Sequence, residues 1–454
     1  MTLVETPLYG SSSEPDTLAD PVSAAMPAVP EHRMSIAAPQ ANVAELGRLA
    51  AAVEEAAADI HPPALQQPDW PDDDELRRVC DRLAADVGPV DEWSCRVLRD
   101  ELARAATGNG FAVIGGDCAE RFFDATPARV IAKAEQLHRV ADVIETATGM
   151  CTTRIGRFGG QFAKPRSQAY EELSNGRRVA SYRGDAVNGI AVDERIHDPA
   201  RLLTAHQCSS QAVRALLEWD LERRKAGRRR LGSAPRTYVG HEALLLDYER
   251  ALLRRGRHAS SAHFLWIGDR TRDPDHAHIA FASGIDNPVG VKVGPSVEPA
   301  DLRALVARLD PAHEHRAGRL SLIVRMGAAV SESLLPPVIE ALGSRARDVL
   351  WIVDPMHGNR RTNAHGQKTR LLIELEEEIR VVFAVLARYG LTPAGIHLEI
   401  TPDNVTECVD DTADLTRPLP DYRSACDPRL NPDQATRIAE VVAELLRSSV
   451  LSRS

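Results

Sequence analysis

A histidine stands just past a strongly apolar run, Val349-Leu350-Trp351-Ile352-Val353, in the order Asp354-Pro355-Met356-His357-Gly358-Asn359. Such a run reads as a strand buried on both faces, and Pro355 and Gly358 stop it. A side chain placed there sits at the rim of a sheet, where a site can be built. Other apolar runs in the chain also end in reactive residues: Cys118, Arg157, Asp269, Arg270, Lys292, Arg325 and Glu399. One thiol, one imidazole and a carboxylate (Cys118, His357, Glu399), completed by a further acid, would suit a first-row divalent ion such as Mn, Fe, Co or Zn. The competing reading is a buried structural cysteine and a core histidine. A second group is cationic: Arg157, Lys164, Arg166, Arg270, Lys292 and Arg325. Like charges brought together need anions, and arginine forks match phosphate and carboxylate. The expected substrate is therefore strongly anionic, with more than one phosphate. The competing reading pairs some of these cations with acids such as Asp269. Metal and polyanion together fit either phosphoryl chemistry or a carbon–carbon bond-forming lyase or synthase, and the residues alone do not choose between them.

These side chains meet only if the strands do. Expected strands are Phe111–Gly115, Thr152–Phe158, Arg236–Gly240, His263–Ile267, Val289–Val293, Leu320–Val324, Leu350–Val353 and Ile396–Ile400. Helical spacing is expected over Arg129–Glu145, Ala300–Leu309, Ser331–Leu342, Leu371–Tyr389 and Gln434–Leu446. About eight strands alternating with helices fit an α/β fold, a parallel (β/α)8 TIM barrel, whose active site gathers at the C-terminal ends of the strands. A doubly wound sheet would want a Gly-rich phosphate turn opening a helix, and none is seen.

Ahead of the barrel, residues 1–62 are rich in Pro and Ala and are expected to be a mostly disordered tail with a helix over Val43–Ile60. Residues 63–108 read as N-terminal helices: one opens at Asp72-Asp73-Asp74-Glu75, and one runs Val90–Ala106 with Trp93, Val97, Leu98 and Leu102 on one side. The barrel then occupies 109–454. Of 454 residues, 43% are hydrophobic and the net charge is −10, which argues against nucleic acid or an anionic membrane as partner. The seven cysteines form no CxxC pair, so a reducing cytoplasmic setting fits better than a disulfide framework.

Longer motifs carry a resemblance. Gly115-Gly-Asp-Cys-Ala-Glu-Arg-Phe122, Arg157-Phe-Gly-Gly-Gln-Phe-Ala-Lys-Pro-Arg-Ser167, Ser181-Tyr-Arg-Gly-Asp-Ala-Val-Asn-Gly189, His241-Glu-Ala-Leu244, Trp266-Ile-Gly-Asp-Arg-Thr-Arg272, Asn287-Pro-Val-Gly-Val-Lys-Val-Gly-Pro295, Asp354-Pro-Met-His-Gly-Asn359, Gly395-Ile-His-Leu-Glu-Ile-Thr401 and Ala425-Cys-Asp-Pro-Arg-Leu-Asn431 resemble the type II (plant-like) 3-deoxy-D-arabino-heptulosonate 7-phosphate (DAHP) synthases, collinearly from about residue 60 onward. The resemblance implies a transferase that joins phosphoenolpyruvate to erythrose 4-phosphate and releases phosphate, the first step of the shikimate pathway. It implies metal ligands Cys118, His357, Glu399 and Asp427, with Mn2+ the expected ion and Co2+, Zn2+ or Fe2+ the others. It implies phosphoenolpyruvate contacts at Arg157, Arg270, Lys292 and Arg325, with Lys292, His357 and Arg157 catalytic. Lys164, Arg166 and Ser167 match the erythrose 4-phosphate region.

The resemblance also implies substrate contact at Asp269, where the family motif usually has Glu. The segment between Leu202 and Arg236 is shorter than the helical pair of feedback-regulated members, as in members that serve secondary metabolism. A homodimer is implied. Two other readings accompany this one. One is an aminoDAHP synthase acting on an amino or imino analogue of erythrose 4-phosphate. The other is a weakly active scaffold for a chorismate mutase-like partner.

Overall fold

The computed structural model describes residues 62–173, 175–225, 236–310 and 317–451. The expected tail and the Val43–Ile60 helix lie outside them. Eight parallel strands close into a barrel: β1 Phe111–Gly116, β2 Thr152–Arg157, β3 Thr237–Glu242, β4 Phe264–Ile267, β5 Val289–Val293, β6 Leu320–Val324, β7 Leu350–Val353 and β8 Pro393–Glu399. Each pairs with its sequence neighbour, and β8 returns to β1. The (β/α)8 expectation holds, with strand ends shifted by a few residues at β3 and β8.

Nearly every strand residue is buried, because helices cover the outer face and side chains fill the inner one. Val289, Val291 and Val293 join the layer beneath the helices, together with Leu322, Val324, Trp351 and Val353. Ile114, Ile155, Tyr238, Trp266, Ile323 and Ile352 belong to a separate inner cluster. The period of two therefore survives inside runs that look uniformly apolar, and it turns Lys292 inward between Val291 and Val293.

Two helices precede the barrel. α1, Asp73–Ala85, is capped by Asp72, whose carboxylate accepts from Glu75 N at 2.9 Å. α2, Glu92–Ala106, packs Leu98, Leu102 and Ala105 into the inner barrel cluster. Trp93 was expected on that face but is 61% exposed. The buried stripe runs Ser94, Cys95, Leu98, Leu102, Ala105, and a 3.6-residue period leaves Trp93 off its edge.

Around the barrel stand α3 Pro127–Thr148, α4 Arg201–Lys225, α5 Ala277–Gly284, α6 Pro299–Leu309, α7 Ser331–Leu342, α8 Leu372–Arg388 and α9 Pro432–Leu451. The segment after Leu202 is a single long helix, α4, as far as it is described. No helix among the described residues is long and apolar enough to cross a membrane.

Candidate active site

Register sets the level of the site. Gly116 pairs with Arg157 of β2 on one side and Glu399 of β8 on the other, so all three lie at the same mouth. Gly116 has φ +148°, and a Cβ there would lie 2.8 Å from the carbonyl oxygen of Arg157. Only glycine lets β1 end this close to β2 and deliver Cys118 over the barrel.

Cys118 Sγ and one carboxylate oxygen each of Glu399 and Asp427 lie within 4.8 Å of one another, all buried. Cys118 Sγ is 3.6 Å from Asp427 Oδ2. His357 Nε2 is 3.0 Å from Glu399 Oε1. The His357 ring is aimed by Asp354, which lies 2.8 Å from Nδ1 and also caps the short turn Pro355–Gly358. A carboxylate behind the imidazole turns Nε2 toward Glu399, the nitrogen that would be left for a metal. Thiol and two carboxylates converge there, and the imidazole of His357 meets them only through Glu399; these are the donor types of a first-row divalent ion. Burial opposes ionisation of Glu399, but His357 and Arg370 outweigh it and hold the carboxyl well below its usual range. Burial likewise opposes ionisation of Asp427, and Lys164 outweighs it.

The cavity above these donors measures about 250 Å³ and is lined by Arg157, Lys164, Arg270, Lys292 and Arg325 among others. A second hollow of about 190 Å³ adjoins it, sharing Lys164 and Arg270 and adding Arg166 and Ser167. All the cations expected at the mouth are there. Most rest against acids. Arg157 pairs with Glu399 at 3.1 Å, Arg325 with Asp269 at 2.9 Å and Arg166 with Glu171 at 2.6 Å. Lys292 pairs with Asp354, and Lys164 touches both Cys118 and Asp427. Arg270 instead donates to the Ser167 hydroxyl at 2.9 Å. Asp269 acts through its carboxylate, which holds Arg325 and also Arg272 at 3.0 Å.

Burial pushes the Lys292 ammonium down to about 8, with Arg157 adding to the shift and Asp354 opposing it. Glu242, the last residue of β3, lines the same cavity. Burial raises its carboxyl above the ordinary range against the pull of Lys292, Lys164 and Arg157. Gly268 makes room for it, since a Cβ there would lie 2.1 Å from Glu242 Oε1.

Buried acids behind the mouth hold its loops. Glu120 accepts from Gly159, Gly160 and Gln161 N at 2.9–3.0 Å and so shapes the loop from Arg157 to Lys164. Asp185 accepts from Arg121 Nε at 3.0 Å, Phe122 N at 2.8 Å and the Tyr182 hydroxyl at 2.8 Å. Glu407, fully buried, accepts from the backbone of Arg423, Ser424 and Arg429 at 2.7–2.9 Å. It also pairs with the Arg429 guanidinium at 2.8 Å and thereby folds the loop that presents Asp427. Glu407→Ala would strand part of a buried cation, so a loss of about 3–5 kcal/mol is expected, read as a lower urea midpoint.

The sequence reading missed Glu407 and Arg370, and left Asp354 and Glu242 without roles. Asp354 was within reach, because it directly precedes Pro355-Met356-His357. Glu407 and Arg370 sit in loops with no periodic pattern, and nothing local marks them.

Comparison with known proteins places this geometry. Residues 56–223 and 222–443 match the model of the "Class-II DAHP synthetase family". Phospho-2-dehydro-3-deoxyheptonate aldolase AroG of Mycolicibacterium smegmatis is 39% identical over 439 residues, covering 85% of this chain and 93% of that protein. Phospho-2-dehydro-3-deoxyheptonate aldolase of Streptomyces coelicolor is 37% identical over 433 residues, covering 85% and 96%. A probable phospho-2-dehydro-3-deoxyheptonate aldolase of Pseudomonas fluorescens is 38% identical over 378 residues, covering 82% and 92%. Matched along most of its length by the family model and by these relatives, the chain belongs to the class-II DAHP synthetase family of enzymes.

Proposed function

We propose that this chain condenses phosphoenolpyruvate with D-erythrose 4-phosphate to give DAHP and phosphate, in a reaction that needs a divalent metal. The observation that carries the reading is the convergence, at one barrel mouth of a family member, of three candidate metal donors, with His357 against one of them, and of cations enough for two phosphorylated substrates. Cys118, His357, Glu399 and Asp427 would hold the ion, which supplies Lewis-acid polarisation of the aldehyde when bound.

Arg157, Lys292, Arg325 and Arg270 bind the phosphate and carboxylate of phosphoenolpyruvate. Arg270 has no carboxylate beside it among the described residues, which leaves its charge for the substrate. Lys164, Arg166 and Ser167 bind the phosphate of the aldose in the adjoining hollow. Holding both substrates together supplies proximity, and the fixed cations offset the charge that builds up. The methylene carbon of phosphoenolpyruvate attacks the aldehyde carbon, a carbon–carbon bond forms at the expense of the two π bonds, and the aldehyde oxygen takes up a proton, balanced by the one that the added water gives up. Water adds to the resulting cationic carbon, the C–O bond to phosphate breaks, and phosphate leaves. Glu242, whose carboxyl burial raises above its ordinary range at the cavity wall, is placed to exchange a proton with that water.

The test is loss of phosphoenolpyruvate absorbance with Mn2+, with and without erythrose 4-phosphate, before and after chelation. Loss that requires both aldose and metal is expected. No loss in folded, metal-loaded protein would overturn the reading.

The short segment between Leu202 and Arg236, one helix (α4) among the described residues, supports a short form serving secondary metabolism. Such a form is expected to show weak or absent inhibition by Trp, Phe or Tyr. Micromolar inhibition by any of them, in the same absorbance assay, would count against it.

A further inference from the structure

Arg370 lies outside the cavity and is fully buried, just ahead of α8. Its guanidinium reaches three segments, and each carries a proposed metal donor. Nη2 is 2.7 Å from Glu399 Oε2. Nε donates at 2.6 Å to the carbonyl of Met356, the peptide that leads into His357. Nη1 donates to the carbonyl of Pro428, the residue after Asp427. The other oxygen of Glu399, Oε1, faces His357 and Arg157. Arg370 is itself anchored, since its carbonyl accepts from Val409 N at 2.9 Å.

From this juxtaposition we infer that Arg370 is a positioning residue that assembles the metal centre. It occupies Glu399 Oε2 so that Oε1 is the oxygen presented, and it fixes the His357 and Asp427 backbones relative to Glu399. The inference rests on the metal site proposed above. A planar, permanently charged fork suits the task, because one side chain must donate to two carbonyls and set its charge against a carboxylate in a dry interior. A lysine in its place keeps the charge but not the fork. Groups that hold metal ligands in place in this way typically alter metal affinity by about 10–100-fold.

The experiment compares wild type, Arg370→Lys and Arg370→Met as apo proteins. Mn2+ binding is measured from the free-ion EPR signal, and the melting temperature is read with and without saturating Mn2+. Arg370→Met is expected to weaken Mn2+ binding by about 10–100-fold and to shrink the Mn2+-induced rise in melting temperature, with Arg370→Lys between it and wild type. A merely structural arginine would lower the apo melting temperature and leave both the Mn2+ affinity and the Mn2+-induced rise unchanged, and that result overturns the inference. If Arg370→Met does not fold, Arg370→Lys decides: Mn2+ affinity equal to wild type overturns the inference, and weaker affinity supports it. Wild-type protein that binds no Mn2+ would overturn the metal site itself, an outcome distinct from wild-type binding that the variants retain.

Discussion

Replacing Cys118 by Ala is expected to lower kcat/KM by about three orders of magnitude while leaving the fold intact. The thiol is one of three donors that converge within 4.8 Å, and the other two are carboxylates on separate segments. A Lewis acid at a carbonyl is worth several kcal/mol, and each 1.36 kcal/mol is tenfold in rate. The structural loss is small by comparison. Cys118 packs with Tyr182 and Cys426, and removing one sulfur atom there costs on the order of 1 kcal/mol. The measurement is kcat/KM beside equilibrium Mn2+ binding and the unfolding midpoint. Chelating wild-type protein should reproduce the loss, and adding Mn2+ back should restore it. A Cys118→Ala protein with wild-type kcat/KM would remove the thiol from the centre.

Lys292→Met should cost nearly as much, for a different reason. Lys292 is a buried cation on β5 that pairs with Asp354, and Asp354 in turn aims His357. Removing the ammonium takes one positive charge from the proposed phosphoenolpyruvate site and leaves a buried carboxylate with less compensation, about 3–5 kcal/mol in all. A fall of about 10²–10³ in kcat/KM is expected. The same residue sets a pH dependence. Burial brings Lys292 down to about 8, so the free enzyme keeps this charge below that pH and loses it above. The alkaline limb of kcat/KM should therefore fall through about pH 8. A bound anion favours the charged form, so the matching limb of kcat should lie higher. Lys292→Arg, which does not titrate in this range, should move the limb upward. An alkaline limb unchanged in Lys292→Arg would assign it to another group.

The barrel was legible because each strand is a short apolar run closed by a polar or glycine punctuation. Val289–Val293, Leu320–Val324 and Leu350–Val353 fall where the sequence reading puts them. The β3 strand was read from Arg236 to Gly240 and runs to Glu242, since its alternation is weak and the following His241-Glu242 look like loop residues. α5 escaped the reading altogether. It is short and apolar nearly all round, so it offers no polar face to give it a helical period.

The candidate site divides along the same line. Cys118, Arg157, Lys292, Arg325, His357 and Glu399 could be placed from sequence, because a barrel brings strand ends to one mouth whatever their separation. What Asp269 does could not be read. Its carboxylate holds Arg272, three residues on in the same loop, and also clamps Arg325, a contact fixed by the approach of β4 to β6 across β5.

The sequence by itself determined the alternation of strands and helices, the barrel that follows from it, and the kinds of side chain at its mouth. These depend on hydrophobic period and turn chemistry, which are local and written in neighbouring residues. Only the tertiary structure decided how close the acids named by the resemblance come to Cys118, and which cations at the mouth pair with acids. Asp427 reaches Cys118 across 309 positions, and Arg370 joins Glu399, His357 and Asp427 from a loop without pattern. Charge pairing and ligand geometry depend on distances of a few ångströms through space, and those distances exist only once the chain has closed.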